Sequence, residues 1–301
     1  LWHMIPGAHF TRPFTLDPNR RTYELIDFHA DHWHFDTGQS WTDSRDGAAN
    51  SYGGGHAHSG TMIYQGENWP DRFRGKLFTL NFHGRRANQE SLVREGSGYV
   101  ARHNDDMFIS DDPWFRGMEL SAGPDGGVFV LDWSDAGECH EHTGVHRTSG
   151  RVFKIRYGET DDSITTNIRE WTADELVRAH RSENQWIVRQ CRLELARRAA
   201  RGDDLADAAA GLRQMFEGSG GNSKELVQSL LSLHISGGAS NDWLTSLLAH
   251  KDPYVRTWAI RLLTETWTLD DTLGPGFAAD VRRSGIRKES SKLVPRFVQM
   301  A

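Results

Sequence analysis

The chain has 301 residues, a formal net charge of −6, and a composition of 37% hydrophobic and 25% charged residues. That is a globular composition, long enough for one large or two ordinary domains. The acidic balance gives no electrostatic case for nucleic acid or an anionic membrane surface, and no apolar run approaches the roughly 20 residues of a membrane span.

The opening LWHMIPGAHF has neither an initiator methionine nor the basic-then-apolar layout of a signal peptide, so the chain reads as an internal piece of a longer protein. HADHWHFDTG (29–38) follows. If it is extended, His32, His34 and Asp36 share one face and form a metal-capable set. The alternative is that the ring nitrogens pair with backbone. GGGHAHSG (53–60) sets three glycines against His56 and His58, either of which has the chemistry of a general base or a metal ligand. The strand-like SGTMIYQ directly after it favours a rigid turn over a free linker. Tying neighbouring segments by hydrogen bonds is the competing role for both histidines.

RGKLFTLNFHG (74–84) alternates as a strand and runs into NFHGRR (81–86). There Arg85 and Arg86 stand where a strand meets a loop, a position from which arginines bind ligand carboxylates or form surface salt bridges. ARHNDDMF, with Arg102, His103, Asp105 and Asp106, and DDPWFRG, with Arg116, are weaker candidates. GPDGGVFVLDW (123–133) is a turn followed by Val128, Val130 and Asp132 alternating against Phe129, Leu131 and Trp133. The stretch 132–151 then inserts a long loop before the strand GRVFKIRYG. Loops of this kind are disproportionately functional. It is rich in metal-capable side chains, among them Asp132, His140 and His142, with Arg147 beside them. Short strands set between Gly, Pro and Asp turns predict a sandwich, barrel or propeller, and the order PDG, strand, Asp, loop, GR, strand favours a propeller blade.

Twelve of the fifteen histidines precede residue 147, and beyond RYGETDDSITT (156–166) the pattern turns helical. A domain boundary near residue 160 follows. NQWIVRQCRLELARR (184–198) and DPYVRTWAIRLLTE (252–265) share apolar positions at an offset of 68: Ile187 with Val255, Cys191 with Ala259, Leu195 with Leu263. SKELVQSLLSLHI (223–235) lies between them. Helix pairs at this period predict HEAT-like repeats, an ordinary bundle being the alternative. Arg192, Arg197, Arg198 and Arg201 are expected on a solvated face, and KESSKLVPRFVQMA as an interrupted repeat or linker. Cys139 and Cys191 fall in different segments and are not expected to pair.

GGGHAHSGTMIYQGENWPDRFRGKLFTLNFHGRR (53–86), DPWFRGMELSAGPDGGVFVLDWSD (112–135) and HRTSGRVFKIRYG (146–158) resemble the membrane-bound dehydrogenase family. Its propeller is similar to that of sorbosone and soluble quinoprotein sugar dehydrogenases. LWHMIPGAHF and ELIDFHADHWHFDTG look like the same family. The likeness covers residues 1–158 closely and the helical half more loosely. It implies an all-β plus all-α chain: the C-terminal blades of a β-propeller (1–160), then HEAT-like repeats (161–301), with a haem-bearing cytochrome c module beyond. It further implies pyrroloquinoline quinone and Ca²⁺ as cofactors and oxidation of a sugar or polyol. Electrons would pass to haem c or another acceptor, in the periplasm or at the cell surface. On that basis His56 and His58 are the candidate catalytic residues, and Arg85, Arg86, Asp132 and Arg147 the candidate cofactor-binding ones. In such enzymes the base comes from an early blade, which this stretch does not contain. Two other readings stay open: a non-catalytic propeller that binds carbohydrate or protein, and a metal-dependent hydrolase or lyase.

Overall fold

The computed structural model describes residues 53–55, 57–96, 98–135, 148–158, 167–265 and 286–300. Among them are eight strands, all antiparallel in two open sheets, and seven α-helices, so the chain is mixed β and α. Its contacts divide it into two units: residues 1–166 with 182–187, and residues 167–181 with 188–301.

The first unit holds the strands. β1 (His58–Ile63), β2 (Leu77–Asn81), β3 (Arg86–Glu95) and β4 (Gly98–His103) form an up-and-down sheet, and β5 (Phe108–Ile109) pairs with the start of β3. β6 (Gly117–Ala122), β7 (Val128–Asp132) and β8 (Arg151–Ile155) form the second sheet. The period-2 pattern acts as expected on β7: Val128 and Val130 are buried, while Phe129 and Leu131 face out. Phe78, Leu80, Leu120, Val128 and Val130 share one apolar core with Tyr64 and Trp69. Burying each such side chain contributes about 1.5–3 kcal/mol.

Tyr64 organises the turns beneath this core. Its hydroxyl donates to Gly126 O (2.9 Å) and accepts from the N–H groups of Asn68 (3.0 Å) and Trp69 (2.8 Å). Gly126 has φ +75°, and a Cβ there would lie 2.6 Å from Asn68 N, so the turn before β7 requires glycine.

β1 lies against β6. Ser59 Oγ donates to Gly117 O (2.8 Å), and a Cβ on Gly60 would stand 2.9 Å from Glu119 Cα. In register, His58 pairs with Asn81 and Asn81 with Arg86; Gly117 pairs with Asp132 and Asp132 with Arg151. The starts of β1 and β6, the β2–β3 turn and the end of β7 therefore meet at one end of the unit.

The second unit is helical. α1 (Ala173–Arg178) starts on a capping box between Thr172 and Glu175. α2 (Gln185–Arg201) and α3 (Ala206–Gly218) follow. α4 (Ser223–Ile235), α5 (Asn241–Ser246) and α6 (Pro253–Leu263) are capped by Asn222, Ser240 and Asp252. Leu226, Leu230, Leu244, Val255 and Ala259 form a core with Leu293 of α7 (Ile286–Met300). The stretch from 288, expected as an interrupted repeat or linker, thus begins within a helix that carries Pro295 inside it. Among the described residues no helix is long and apolar enough to cross a membrane.

Two arginines expected on a solvated face are instead tied into the unit. Arg192 donates through Nε to Ser232 Oγ (3.0 Å) and bonds the Gln228 amide, and burial lowers its pKa to about 10. Arg198 pairs with Glu194 (3.0 Å) and donates to Trp171 O (2.6 Å). Cys191 is a free, buried thiol whose pKa burial raises to about 12.

His180 is buried beside Arg192. Its Nδ1–H donates to Leu176 O (2.8 Å), so Nε2 accepts from Ser232 Oγ (2.7 Å) and the ring is neutral. Burial lowers its pKa to about 4. The folded state therefore resists a proton that the unfolded chain takes up below pH ~6.5. This contribution is complete above pH ~6.5 and is lost as pH falls toward 4, about 3 kcal/mol in all. Urea denaturation at pH 7 and pH 4.5 checks it. An acid slope of the same size in His180→Gln would refute the assignment.

Candidate functional site

The glycine–histidine loop is a clamped turn. Gly53, Gly55 and Ala57 take φ of +78°, +123° and +58°, a left-handed path on which Ala57 is strained. Asn81 Nδ2 donates to Gly53 O (2.9 Å) and Gly54 O (3.1 Å), while Asn81 Oδ1 accepts from Gly84 N–H (2.8 Å). Asn88 Nδ2 donates to Gly53 O (3.1 Å) and to Asp106 Oδ1 (2.6 Å). The two loops are in contact: a Cβ on Gly84 would lie 2.4 Å from Gly54 O, and one on Gly55 2.7 Å from Gly84 Cα. Gly55 and Gly84 are needed because the backbone of the opposite loop occupies the space of their side chains; at Gly53 the Asn88 amide does, 2.5 Å from where a Cβ would stand.

The candidate residues of this end have distinct fates. His58 Nε2 donates to Asn88 Oδ1 (2.6 Å), so the half-buried ring belongs to the same polar network. His83 is 1% exposed and meets Phe82 edge-on, with centroids 5.0 Å apart. Arg86 is buried and gives its guanidinium to Asp106 Oδ2 (2.8 Å) and Gly84 O (3.3 Å). Arg85, one residue earlier, has φ +52° and is half-buried. His103 Nδ1 pairs with Glu90 Oε1 (3.0 Å), and that bond raises its pKa above the ordinary value.

Asp132 is equally committed. It is 4% exposed; Oδ1 accepts from the N–H groups of Arg116 (2.7 Å) and Ser134 (2.9 Å), and Oδ2 from Arg151 Nε (2.6 Å). Arg151 also bonds Asp112 (2.6 Å), whose carboxyl is held below its usual range first by the Trp114 N–H and then by Arg151. Arg116 donates to the carbonyls of Pro113 and Phe115 (both 2.9 Å). These groups hold the strand ends of the second sheet together. The sequence reading did not single out Asn81, Asn88, Arg151 or Trp133. Trp133 follows Asp132 and is 53% exposed at this same end. Its position opposite the buried Asp132 in the alternation was the available signal.

His56, Arg147, His32, His34, Asp36, His140 and His142 lie outside the described residues. Among the described residues no three metal-ligating side chains come together. A quinone that carries several carboxylates needs several cations, and Ca²⁺ needs oxygen ligands. At this end Arg86 and Arg151 already pair with carboxylates, and Asp132 has both oxygens engaged. Of the described candidates, Arg86 and Asp132 are therefore already committed to partners within the protein.

A family model described as a domain of unknown function matches residues 12–174. No curated protein and no solved structure matches the chain.

Proposed function

Because the chain belongs to the DUF7133 family, whose description assigns no activity, we propose its function from the residues themselves: the strand unit is a pair of neighbouring propeller blades that bind a sugar or polyol at their strand ends. The observation that carries this is the pairing of a rigid, hydrogen-bonded frame with an exposed Trp133 and a half-buried Arg85 at one end of the two sheets. An indole face stacks on the C–H face of a sugar ring, and a guanidinium donates to hydroxyl oxygens. The blade reading is supported by two up-and-down sheets whose first strands lie against each other.

The helical unit is HEAT-like in this reading and serves as spacer and docking surface. Its support is the burial of Cys191 and Ala259 at corresponding positions, with Leu195 and Val255 buried opposite the half-buried Leu263 and Ile187. Oxidation of the bound sugar, with electrons passed to a cytochrome c module, is the activity the family resemblance implies. The polar network would orient the substrate for it.

Calorimetric titration of the full chain with aldoses and polyols tests the proposal, with and without pyrroloquinoline quinone and Ca²⁺, alongside dye reduction. Saturable binding is expected, weakened about tenfold in Trp133→Ala and in Arg85→Ala. Quinone-dependent dye reduction would add the dehydrogenase activity. Binding without reduction would leave a carbohydrate-binding platform, and no binding under any condition rejects the reading.

A further inference from the structure

Several arginines of the helical unit are matched by a carboxylate close by in sequence. Arg178 pairs with Asp174, Arg197 and Arg198 with Glu194, and Arg201 with Asp203. Arg189 and Arg192 are not. They stand three positions apart on α2, which places them side by side on one face of the helix. No carboxylate acts on either of them, and the only charge acting on Arg192 is that of Arg189. Like charges at this spacing repel. An anion between them would turn that repulsion into two attractions.

Arg192 is also held in place. Its Nε donates to Ser232 Oγ (3.0 Å) and its Nη2 to the Gln228 side chain. Ser232 in turn donates to His180 Nε2 (2.7 Å), and His180 Nδ1–H to Leu176 O (2.8 Å). This chain of neutral groups fixes one edge of the guanidinium and leaves its charge unmatched. The remaining Nη1 makes no bond within the protein and is not sealed from solvent. Arg189 is exposed and makes no hydrogen bond or ion pair, so its whole fork of N–H donors is open.

Charge and geometry select the ligand. A guanidinium fork binds two oxygens of one oxyanion, which leaves Arg192 Nη1 for a third. A carboxylate has two oxygens and a single charge. A phosphate group has three free oxygens and a charge near −2, which balances the pair. Leu193 is 45% exposed and lies one turn from Arg189, so apolar surface adjoins the two cations.

We propose that Arg189 and Arg192 form a binding site for a dianionic phosphate group, with Arg189 gripping two of its oxygens and Arg192 Nη1 a third. The site lies within the helical unit and does not depend on the strand-end reading.

The test titrates the full chain calorimetrically with phenyl phosphate, inorganic phosphate and benzoate, at low salt and above pH ~7, where phosphate is dianionic. One saturable event with phosphate is expected, at least about tenfold tighter than with benzoate and weakened at least about tenfold in Arg189→Gln. Arg189 has no bond to lose within the protein, so this variant folds. Arg178→Gln removes an arginine that already has its carboxylate and should leave the affinity within about twofold. Tighter binding of phenyl phosphate than of inorganic phosphate would mark an ester seated on Leu193 as the source of the group, and equal binding the free ion. No saturable event, benzoate binding as tightly as phosphate, or equal affinities in Arg189→Gln, Arg178→Gln and the unmodified chain overturns the proposal.

Discussion

Gly84→Ala is expected to destabilise the strand unit by about 3–4 kcal/mol, measured as the urea midpoint followed by tryptophan fluorescence. The added methyl would lie 2.4 Å from Gly54 O and 2.7 Å from the Asn81 side chain. Neither neighbour can yield cheaply. Gly54 O already accepts from Asn81 Nδ2, and Asn81 Oδ1 already accepts from Gly84 N–H. Separating the loops would break both bonds and strand buried polar groups. Gly75→Ala is the control. Gly75 has φ +75° with open space around its would-be Cβ, so only backbone strain of about 1 kcal/mol is at stake. Equal losses at the two positions would show that the turn is not clamped as described.

Asp132→Ala is expected to cost about 4 kcal/mol, and Asp132→Asn about half of that. The alanine variant strips the acceptor from two backbone N–H groups and leaves Arg151 with only Asp112. Asparagine can keep Oδ1 for the N–H groups but turns an amide toward the guanidinium. The ordering of the two variants, read from denaturation midpoints, is the informative result. A carboxylate whose work was only to hold a cofactor would leave both midpoints unchanged.

The strands and helices were legible because their apolar residues follow periods of 2 and 3.6. β7 shows how far that goes. Alternation correctly separates Val128 and Val130 from Phe129 and Leu131, and it even places Asp132 on the inner side. It does not say that an inward carboxylate has a guanidinium from β8 waiting for it. Pairings of that kind, like Arg86 with Asp106 or Arg192 with Ser232, join residues on separate elements and depend on register. A pair of arginines after a glycine therefore looked like ligand-binding groups in the sequence. In the fold Arg86 closes a buried ion pair, while its neighbour Arg85 stays half-exposed. The asparagines were overlooked for a related reason. An amide that satisfies loop carbonyls carries no motif, and Asn81 and Asn88 matter only because the glycine loop passes over them.

The contact of β1 with β6 has a kinetic consequence. The β2–β3 hairpin closes locally, across a turn of a few residues, and hairpins of this sort form in about 1–10 μs. Ser59 and Gly117 are 58 residues apart, so their meeting waits for a long span of chain to be ordered first. Folding of this unit should therefore be limited by the docking of one sheet on the other rather than by the making of either. A nick at the exposed Asp111, between β5 and β6, would leave each sheet on its own piece of chain and convert that docking from an intramolecular event into a bimolecular one, with a rate set by protein concentration.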